Sequence, residues 1–217
     1  PAVAYHSRHY VPPSMKIVDG YVDGGRGMQL DDAGHARSGR ELLIVDRDRD
    51  ETLNDYLKFA RSEELKELEP TKRARRLAQY IDGNTTFEKN NRATMAAVML
   101  LTREYANEGV LIGDVSRLCG AGVCRHRALL FKILADEAGL DVALVRGNYG
   151  DAQRKEGHAW NELHLKDGKR ILVDVMQRRF EPLTSEGSEI SRRYLTVDNK
   201  PWYEQPEPAE GKPAPRP

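Results

Sequence analysis

One glycine-bounded stretch, GAGVCRHRALLFKIL over residues 120–134, most constrains how this chain can fold. Its glycines require an unusual backbone or a close approach, and the dense apolar run continues to Gly139, a residue type that commonly ends helices. The pattern predicts a buried helix that begins near Cys124. A helix N-terminus favours thiolate over thiol, and the Arg-His-Arg run at 125–127 is expected to add positive charge. Cys124 is therefore a candidate nucleophile, although a cysteine opening a core helix can also be a small buried apolar residue.

Two residues elsewhere complete a candidate catalytic triad. A cysteine acyl-transfer site needs a thiolate, a base and an acceptor that fixes the tautomer of the base. His158 lies in the segment GHAWNE and Asp174 in ILVDVM. We assign Cys124 as the nucleophile, His158 as the base that later protonates the leaving group, and Asp174 as the residue that orients His158. The backbone N–H of Cys124 is the expected oxyanion donor. Three residues are candidates for the second donor: Tyr105, Asn107 and Asn161.

Helical patterns come first along the chain and strand patterns follow. Three amphipathic helices are predicted before Cys124, and their expected starts are Asp50, Thr71, and Thr85 or Thr86. The third has an apolar stripe of Ala93, Ala96, Ala97, Leu100 and Leu101. Alternating segments after the Cys124 helix predict strands over 141–146, 158–165 and 170–176, with a polar loop at 147–157. This order predicts an α+β fold in which helices pack on one face of a small antiparallel sheet.

The hairpin between the last two predicted strands decides whether the triad can form. With a two-residue turn, His158 and Asp174 would lie on opposite faces of the sheet. With a three-residue loop, Lys166-Asp167-Gly168, and a left-handed glycine, Trp160 lies opposite Asp174. His158 is then one same-face step away, within roughly 5–8 Å between Cβ atoms. The triad hypothesis therefore predicts the three-residue loop.

Trp160 and the histidines have alternative interpretations. A strand tryptophan is usually a core residue, but the place of Trp160 between His158 and Asp174 also indicates a wall that shields their hydrogen bond, and we assign it to substrate binding. His126 is expected to be exposed or to cap the helix, and His164 to be an ordinary polar strand residue. An alternative zinc site would use Cys119, Cys124, His126, His158 and His164. Their spacing lacks paired Cys-x-x-Cys or His-x-x-x-His motifs, so we predict no metal and no cofactor.

Composition indicates one domain with flanking segments. We predict a partly irregular N-terminal arm at 1–48 with a short strand at 41–46, a catalytic domain at 49–180, and an extension at 181–217 with a disordered proline-rich tail.

Lys plus Arg and Asp plus Glu are both 34, so no net charge draws the protein to nucleic acid or an anionic membrane. No apolar run approaches the roughly 20 residues that cross a bilayer. The chain has two cysteines, and a disulfide between them would consume the nucleophile, so we expect a reducing cytoplasm as the site of action.

Residues 84–176 resemble the transglutaminase-like superfamily of papain-type cysteine enzymes. The resemblance lies in Gly-Val-Cys at 122–124, His-Ala-Trp-Asn-Glu at 158–162 and the hydrophobic strand that ends in Asp174. The segment VCRHRALLFK at 123–132 is in addition similar to the peptidase-like domain of plant EDR-type kinases and armadillo-repeat proteins. The resemblance implies a papain/transglutaminase-like fold with Cys124, His158 and Asp174 as its triad. The superfamily includes crosslinking and deamidating enzymes, proteases, peptide N-glycanases and domains that have lost activity, so the reaction stays open.

We therefore predict a cysteine acyl-transfer enzyme that acts on amide bonds of protein or peptide substrates through a thioester. Transglutaminase, glutamine deamidase and protease activities all remain, because one triad serves all three. The alternative is a catalytically degenerate domain that serves as a protein-interaction module. A chain that starts at Pro1 and ends in a proline-rich tail is expected to be a piece of a longer protein, and would suit a bacterial effector or toxin domain.

Overall fold

The computed structural model describes residues 3–4, 9–84, 91–117, 122–184 and 191–205. It confirms the predicted α+β class. The helices are α1 (Glu51–Ala60), α2 (Glu63–Lys66), α3 (Pro70–Asn84), α4 (Asn91–Glu104), α5 (Ile112–Arg117) and α6 (Cys124–Glu137). The early strands are β1 (Val3–Ala4), β2 (Tyr10–Val11), β3 (Tyr21–Asp23), β4 (Gln29–Leu30), β5 (Ala36–Arg37), β6 (Leu42–Ile44) and β7 (Gly109–Leu111). The later strands are β8 (Val142–Gly150), β9 (Lys155–His164), β10 (Arg170–Asp174), β11 (Arg179–Pro182) and β12 (Tyr194–Leu195). Short 3-10 helices span Ser191–Arg193 and Trp202–Glu204.

The helix starts follow from local chemistry. The Asp50 carboxylate accepts the Leu53 N–H at 2.8 Å and caps α1, as the pattern predicted. Helix α3 begins at Pro70, one residue before the expected cap at Thr71, because proline needs no hydrogen bond for its missing N–H at the first helical position. The predicted caps of the third long helix, Thr85 and Thr86, lie outside the described residues.

Helix α4 corrects one predicted stripe. Leu101 is buried and Ala97 is half-buried, so these two residues, four apart, face the core. Ala96 and Leu100 are exposed, because they lie to the side of that line. The side chain of Ala93 is outside the described part of the chain.

Helix α6 has the predicted bounds and is the most deeply buried helix of the described chain. It begins at Cys124 and is followed by Gly139 in the left-handed conformation, with φ of 71°. Every residue from Arg125 to Ala135 is buried. The helix packs against β8 and β9 on one side and against α1 and α3 on the other. The position of Cys124 is therefore fixed by a helix in the core of the fold.

The main sheet has the strand order β11-β10-β9-β8-β12, and β2 also pairs with β8. Strands β8 to β10 form the antiparallel meander that the strand patterns predicted, and β11, which the patterns did not predict, extends it. The segment predicted as a loop at 147–157 is mostly strand, since β8 runs to Gly150 and β9 resumes at Lys155. The β9–β10 hairpin has the predicted three-residue loop: Ile171 pairs with Leu163, and Gly168 has φ of 83°.

Each face of the main sheet packs against a separate cluster of apolar residues. The helix-facing side joins α1, α3 and α6 in the larger core. The opposite side is covered by the chain after β10, in a smaller cluster of Ala143, Val145, Trp160, Leu172, Leu183, Tyr194 and Trp202. Side chains on both faces of these strands are therefore buried, and in the described part of the chain neither face of the sheet is left exposed to solvent along its length.

The first 48 residues contribute a second, small sheet, in which β1, β3, β6 and β7 are neighbours in that order. Strand β6 lies inside the short strand predicted at 41–46. Its parallel pairing with β7 joins the arm to the chain just before α5. Asp23 at the end of β3 and Glu41 before β6 are buried by this arrangement. No helix among the described residues is both long enough and apolar enough to cross a bilayer.

Candidate active site

Cys124 is the first residue of α6 and is half-buried. The preceding residue, Val123, has an extended backbone, with φ of −108° and ψ of −172°, and so ends the incoming loop. His126 caps the helix, because its Nδ1 accepts the Val123 N–H at 2.9 Å. As a first-turn residue, Cys124 has an N–H group without an intrahelical acceptor. That group is available for the oxyanion role that the sequence suggested.

His158 and Asp174 lie on the same face of neighbouring strands. Continuing the β9–β10 register places Asp174 beside Trp160, two residues from His158. The Nε2 atom of His158 lies 2.5 Å from Oδ2 of Asp174. The Cys124 thiol is hydrogen-bonded to the same imidazole, which leaves Nδ1 as the ring nitrogen for sulfur. The structure thus brings together the three residues that we predicted as a triad.

The electrostatics of this group favour an ion pair between sulfur and imidazole. Burial alone lowers the pKa of His158, but hydrogen bonds and charge from Asp174 and Cys124 outweigh burial and raise this pKa to about 10. Burial alone raises the pKa of the Cys124 thiol. The hydrogen bond and charge of His158, together with the Ala159 N–H, outweigh that effect and hold the pKa of Cys124 below its ordinary value. Both shifts favour the thiolate–imidazolium form of the pair over the neutral form.

Tyr194 is a member of the site that sequence reasoning missed. Its hydroxyl donates to Oδ2 of Asp174 at 2.7 Å, the same oxygen that accepts from His158. Burial and the Asp174 charge raise the pKa of Tyr194, so the hydroxyl remains protonated. The second oxygen of Asp174 accepts the Gln177 N–H at 3.0 Å. No motif marks Tyr194, because it lies in a short strand of the C-terminal extension where no periodic pattern is present.

Trp160 takes a different place from the substrate contact that we predicted. It is 0% exposed and does not line the cleft at Cys124. Its indole stacks on His158, with ring centroids 6.1 Å apart, and meets Tyr194 and Trp202 edge-on. Since β9 puts Trp160 on the layer covered by the C-terminal extension, it forms a wall behind the imidazole. That wall keeps water from the hydrogen bond between His158 and Asp174.

A second buried polar cluster lies on the other side of Cys124; we call it the arm cluster, and its members are Asp23, Glu41, Arg125, His126 and Arg146. Arg125 donates to the Glu41 carboxylate and also to the backbone oxygen of Asp23 at 3.1 Å. Arg146 of β8 pairs with the Asp23 carboxylate. His126 Nε2 lies 2.8 Å from Glu41. The N-terminal arm therefore ties the start of α6 to the strand that pairs with β9.

The arm cluster changes the predicted source of positive charge. His126 caps α6, as one alternative predicted, but it is fully buried rather than exposed. Burial and Arg125 lower the pKa of His126 to about 4 despite the Glu41 carboxylate, so the ring is neutral. The Arg125 charge is neutralised by Glu41, and Arg127 donates to the Gly122 carbonyl. The prediction that His126 adds positive charge beside Cys124 is therefore wrong.

The thiol opens into a cleft of about 440 Å³. One wall comes from the arm, and the other comes from α6, β8 and β9. The lining residues are Gly25, Arg26, Gly27, Ser38, Arg40, Val123, Cys124, Arg125, Arg146, Gly157, His158 and Ala159. The candidates for the second oxyanion donor lie elsewhere. The Asn161 amide donates to Ala128 O and Ala143 O, Asn107 Oδ1 accepts the N–H groups of Ser38 and Gly39, and Tyr105 does not line the cleft.

The described residues contain no cluster of three or more His, Cys, Asp or Glu side chains with metal-binding geometry. Two members of the alternative zinc set have other partners, because His126 bonds Glu41 and His164 contacts Glu162 at 2.7 Å. Cys119 lies outside the described residues.

Comparison with known proteins finds relatives that are much longer than this chain. Armadillo repeat-containing protein 3 of Homo sapiens is 49% identical over 59 residues, which are 27% of this chain and 6% of that protein. The probable serine/threonine-protein kinase SIS8 of Arabidopsis thaliana is 40% identical over 55 residues, which are 25% of this chain and 5% of that protein.

Among solved structures, the crystal structure of the periplasmic domain of TgpA from Pseudomonas aeruginosa is similar over 58% of this chain and 47% of that chain. The sequence identity is 18% and the TM-score is 0.27, a likeness too slight to establish equivalent positions.

The peptidase-like resemblance of the sequence is confirmed at the level of the family. The sequence model of the family described as EDR1/CTR1/ARMC3, peptidase-like, matches residues 27–179, a range that includes Cys124, His158 and Asp174. Because the match covers most of the chain, this protein belongs to the EDR1/CTR1/ARMC3 peptidase-like family.

Proposed function

We propose that this chain is a cysteine acyl-transfer enzyme that acts on amide bonds of protein or peptide substrates. One observation carries the proposal: the Cys124 thiol, the His158 imidazole and the Asp174 carboxylate form a continuous hydrogen-bonded array at the wall of an open cleft. The peptidase-like character of the family supports it. Transglutaminase, glutamine deamidase and protease are the reactions that this array can serve.

In the proposed mechanism, the Cys124 thiolate attacks the carbonyl carbon of a substrate amide. The C–N bond breaks as the His158 imidazolium donates its proton to the departing amine or ammonia, which leaves a thioester on sulfur. The Cys124 N–H lies at the helix start, where negative charge on the carbonyl oxygen is stabilised. Neutral His158 then takes a proton from water or from a lysine amine as it attacks the thioester. The C–S bond breaks, the acid or the new amide leaves, and the thiolate and imidazolium are restored.

The other residues of the site keep this proton transfer aligned. Asp174 accepts from Nε2 and so presents Nδ1 to sulfur in both protonation states of the ring. Tyr194 and the Gln177 N–H hold the carboxylate, and Trp160 covers the imidazole from behind. Since the reaction needs a reduced thiol, we propose a reducing compartment such as the cytoplasm as its place of action.

Two measurements test the proposal. We expect iodoacetamide to label Cys124 at neutral pH faster than a small free thiol, and we expect His158→Ala to remove the advantage. Candidate proteins incubated with wild type and with Cys124→Ala are then compared by intact mass. A gain of about one mass unit indicates deamidation, joined chains indicate crosslinking, and fragments indicate proteolysis. Ordinary thiol reactivity that is unchanged in His158→Ala contradicts the proposal.

A second candidate function is a protein-interaction module without activity. The matched segments are only 6% and 5% of the lengths of the two relatives. This small share favours the module, because in those proteins the segment is one part of a much longer chain. The two candidates separate on chemistry, because an interaction module does not require a reactive thiol. If Cys124 is unreactive and no protein in a broad mixture changes mass on incubation with this chain, the interaction module explains the fold better than the enzyme does.

A further inference from the structure

The cleft at Cys124 is lined by arginines, and in the described part of the chain no carboxylate lines it. The four are Arg26, Arg40, Arg125 and Arg146. Arg125 and Arg146 are neutralised from behind by Glu41 and Asp23. Arg26 and Arg40 are exposed and make no ion pair with any described residue. The lining therefore carries two arginines, Arg26 and Arg40, whose positive charge no described carboxylate neutralises.

Arg26 is held at the mouth of the cleft by neutral acceptors. Its guanidinium donates to Gly147 O at 2.6 Å and to Asn148 Oδ1 at 3.1 Å. These bonds fix its position without removing its charge. The Arg26 guanidinium also lies against Gly157, because a Cβ added there would be 3.4 Å from it. Gly157 directly precedes His158 in β9, so Arg26 is close to the catalytic histidine in the proposed site.

Arg40 approaches the cleft from the other end of the arm. Its side chain passes the positive-φ residue Gly25, where an added Cβ would lie 3.7 Å from Arg40 Cδ and 4.0 Å from Arg125 Cδ. Arg26 and Arg40 thus both line the arm side of the cleft that contains Cys124. An extended chain bound along that wall would present its side chains to both guanidinium groups.

We propose that the substrate is an acidic peptide segment, with Asp or Glu side chains flanking the attacked amide and pairing with Arg26 and Arg40. This specificity rests on the proposed function. Guanidinium groups form charge-assisted hydrogen bonds with carboxylates, and two arginines without an ion-pair partner disfavour a basic segment by like-charge repulsion. The arm thereby has two roles, since its buried acids position α6 and its exposed arginines select the acyl donor.

Alkylation by two small probes tests the charge of the cleft without requiring a known substrate. Iodoacetate is anionic and iodoacetamide is neutral, so the ratio of their rates at Cys124 cancels any change in the amount of thiolate. We expect the ratio of the iodoacetate rate to the iodoacetamide rate to be higher at Cys124 than at a small free thiol. We also expect this ratio to fall as the salt concentration is raised. Arg26→Gln and Arg40→Gln should each lower it roughly three- to five-fold, the scale of one partly screened charge contact.

The controls separate charge from shape and from folding. Arg26→Lys should keep most of the ratio because the charge remains. Arg61→Gln removes an arginine that pairs with Glu137, at the end of α6 opposite Cys124, and should leave the ratio unchanged. A wild-type ratio no higher than that of a free thiol, or Gln variants equal to wild type, overturns the acidic specificity. Slow labelling by iodoacetamide alone instead contradicts the proposed function, so the two failures are distinguishable.

Peptide protection extends the test to the substrate class. Glutamine-containing peptides with flanking Glu residues should slow iodoacetamide labelling of Cys124 at lower concentration than the same peptides with Gln or Lys at the flanks. The preference should be lost in the Arg26→Gln, Arg40→Gln double variant. Equal protection by all three peptides overturns the proposal. Better protection by a phosphoserine-flanked peptide than by the Glu peptide also overturns it, in favour of a phosphorylated donor.

Discussion

Two buried histidines of this protein share a local arrangement and differ in protonation. His158 and His126 each place Nε2 against a carboxylate, that of Asp174 at 2.5 Å and that of Glu41 at 2.8 Å. The pKa of His158 is raised to about 10, because Asp174 and Cys124 outweigh burial. The pKa of His126 is lowered to about 4, because burial and Arg125 outweigh Glu41. A carboxylate partner therefore does not by itself make a histidine cationic.

The difference comes from the second ring nitrogen and from the charge around the carboxylate. Nδ1 of His158 faces a thiol that can become an anion, so both nitrogens have acceptors. Nδ1 of His126 accepts the Val123 N–H and cannot carry a proton while that bond exists. Glu41 is also neutralised by Arg125, whereas Asp174 has the uncharged Tyr194 as its other side-chain partner. One cluster thus supports proton transfer and the other supports the fold.

The largest expected effect is on stability, from breaking the arm cluster. Glu41→Ala leaves the buried Arg125 with only the more distant Asp23 carboxylate, at 3.7 Å, and removes the Nε2 partner of His126, so we expect a loss of about 3–5 kcal/mol in the free energy of unfolding. Urea denaturation measures it. The matched control is Glu63→Ala, which removes an exposed carboxylate paired with Lys66 and should cost less than about 1 kcal/mol. Equal losses in the two variants would contradict a structural role for the cluster.

The next effect is the acid response of the fold. The folded pKa of His126 lies below its ordinary value of 6.5, so its stabilising contribution is complete above pH 6.5 and is lost as the pH falls toward 4. Glu41, with its pKa lowered to about 2, loses its contribution only between about 4.5 and 2. We expect the slope from His126 to approach about 1.4 kcal/mol per pH unit.

His126→Gln isolates this component. Glutamine does not titrate, and at the third helical position it can accept the Val123 N–H as histidine does. The difference in unfolding free energy between wild type and His126→Gln should therefore change between pH 6.5 and pH 4.5. A constant difference over that range would show that His126 is not neutral in the fold.

A smaller effect, on thiol chemistry, comes from the triad of Cys124, His158 and Asp174. His158→Ala removes the hydrogen bond and the charge that lower the pKa of Cys124, so the midpoint of the pH profile of iodoacetamide labelling should rise toward about 8.5, the value of a free cysteine. We expect the rate at pH 6 to fall about ten-fold. His158→Gln retains a donor for Asp174 and should show the same shift in a better-packed site. His164→Gln, at the far end of β9, should leave the profile unchanged.

The smallest effect on thiol chemistry is expected for Tyr194→Phe. The substitution removes one hydrogen bond to Asp174 and keeps the ring packed against Trp160. The free energy of unfolding should fall by about 1–2 kcal/mol, on the scale of one buried hydrogen bond to a charged group. The labelling midpoint of Cys124 should move in the same direction as in His158→Ala but by less. A midpoint identical to wild type would make Tyr194 a packing residue only.

The sequence by itself determined the elements whose causes are local. The apolar run and Gly139 predicted α6, and the Lys166-Asp167-Gly168 loop predicted the hairpin register that puts His158 and Asp174 on one face. These predictions succeeded because helix ends, turn type and strand alternation depend on residues a few positions apart. The extent of β8 and β9 was underestimated, because pairing between the strands extends them through a segment that is polar and glycine-bearing.

Only the tertiary structure decided the surroundings of Cys124. Glu41 meets His126 across 85 residues of sequence, Asp23 meets Arg146 across 123, and Tyr194 reaches Asp174 across 20. The neutrality of His126, the burial of Trp160 and the unpaired charge of Arg26 all follow from such contacts. Periodicity carries no information about them, because burial and electrostatic energy depend on distance in space and on every neighbouring charge, not on separation along the chain.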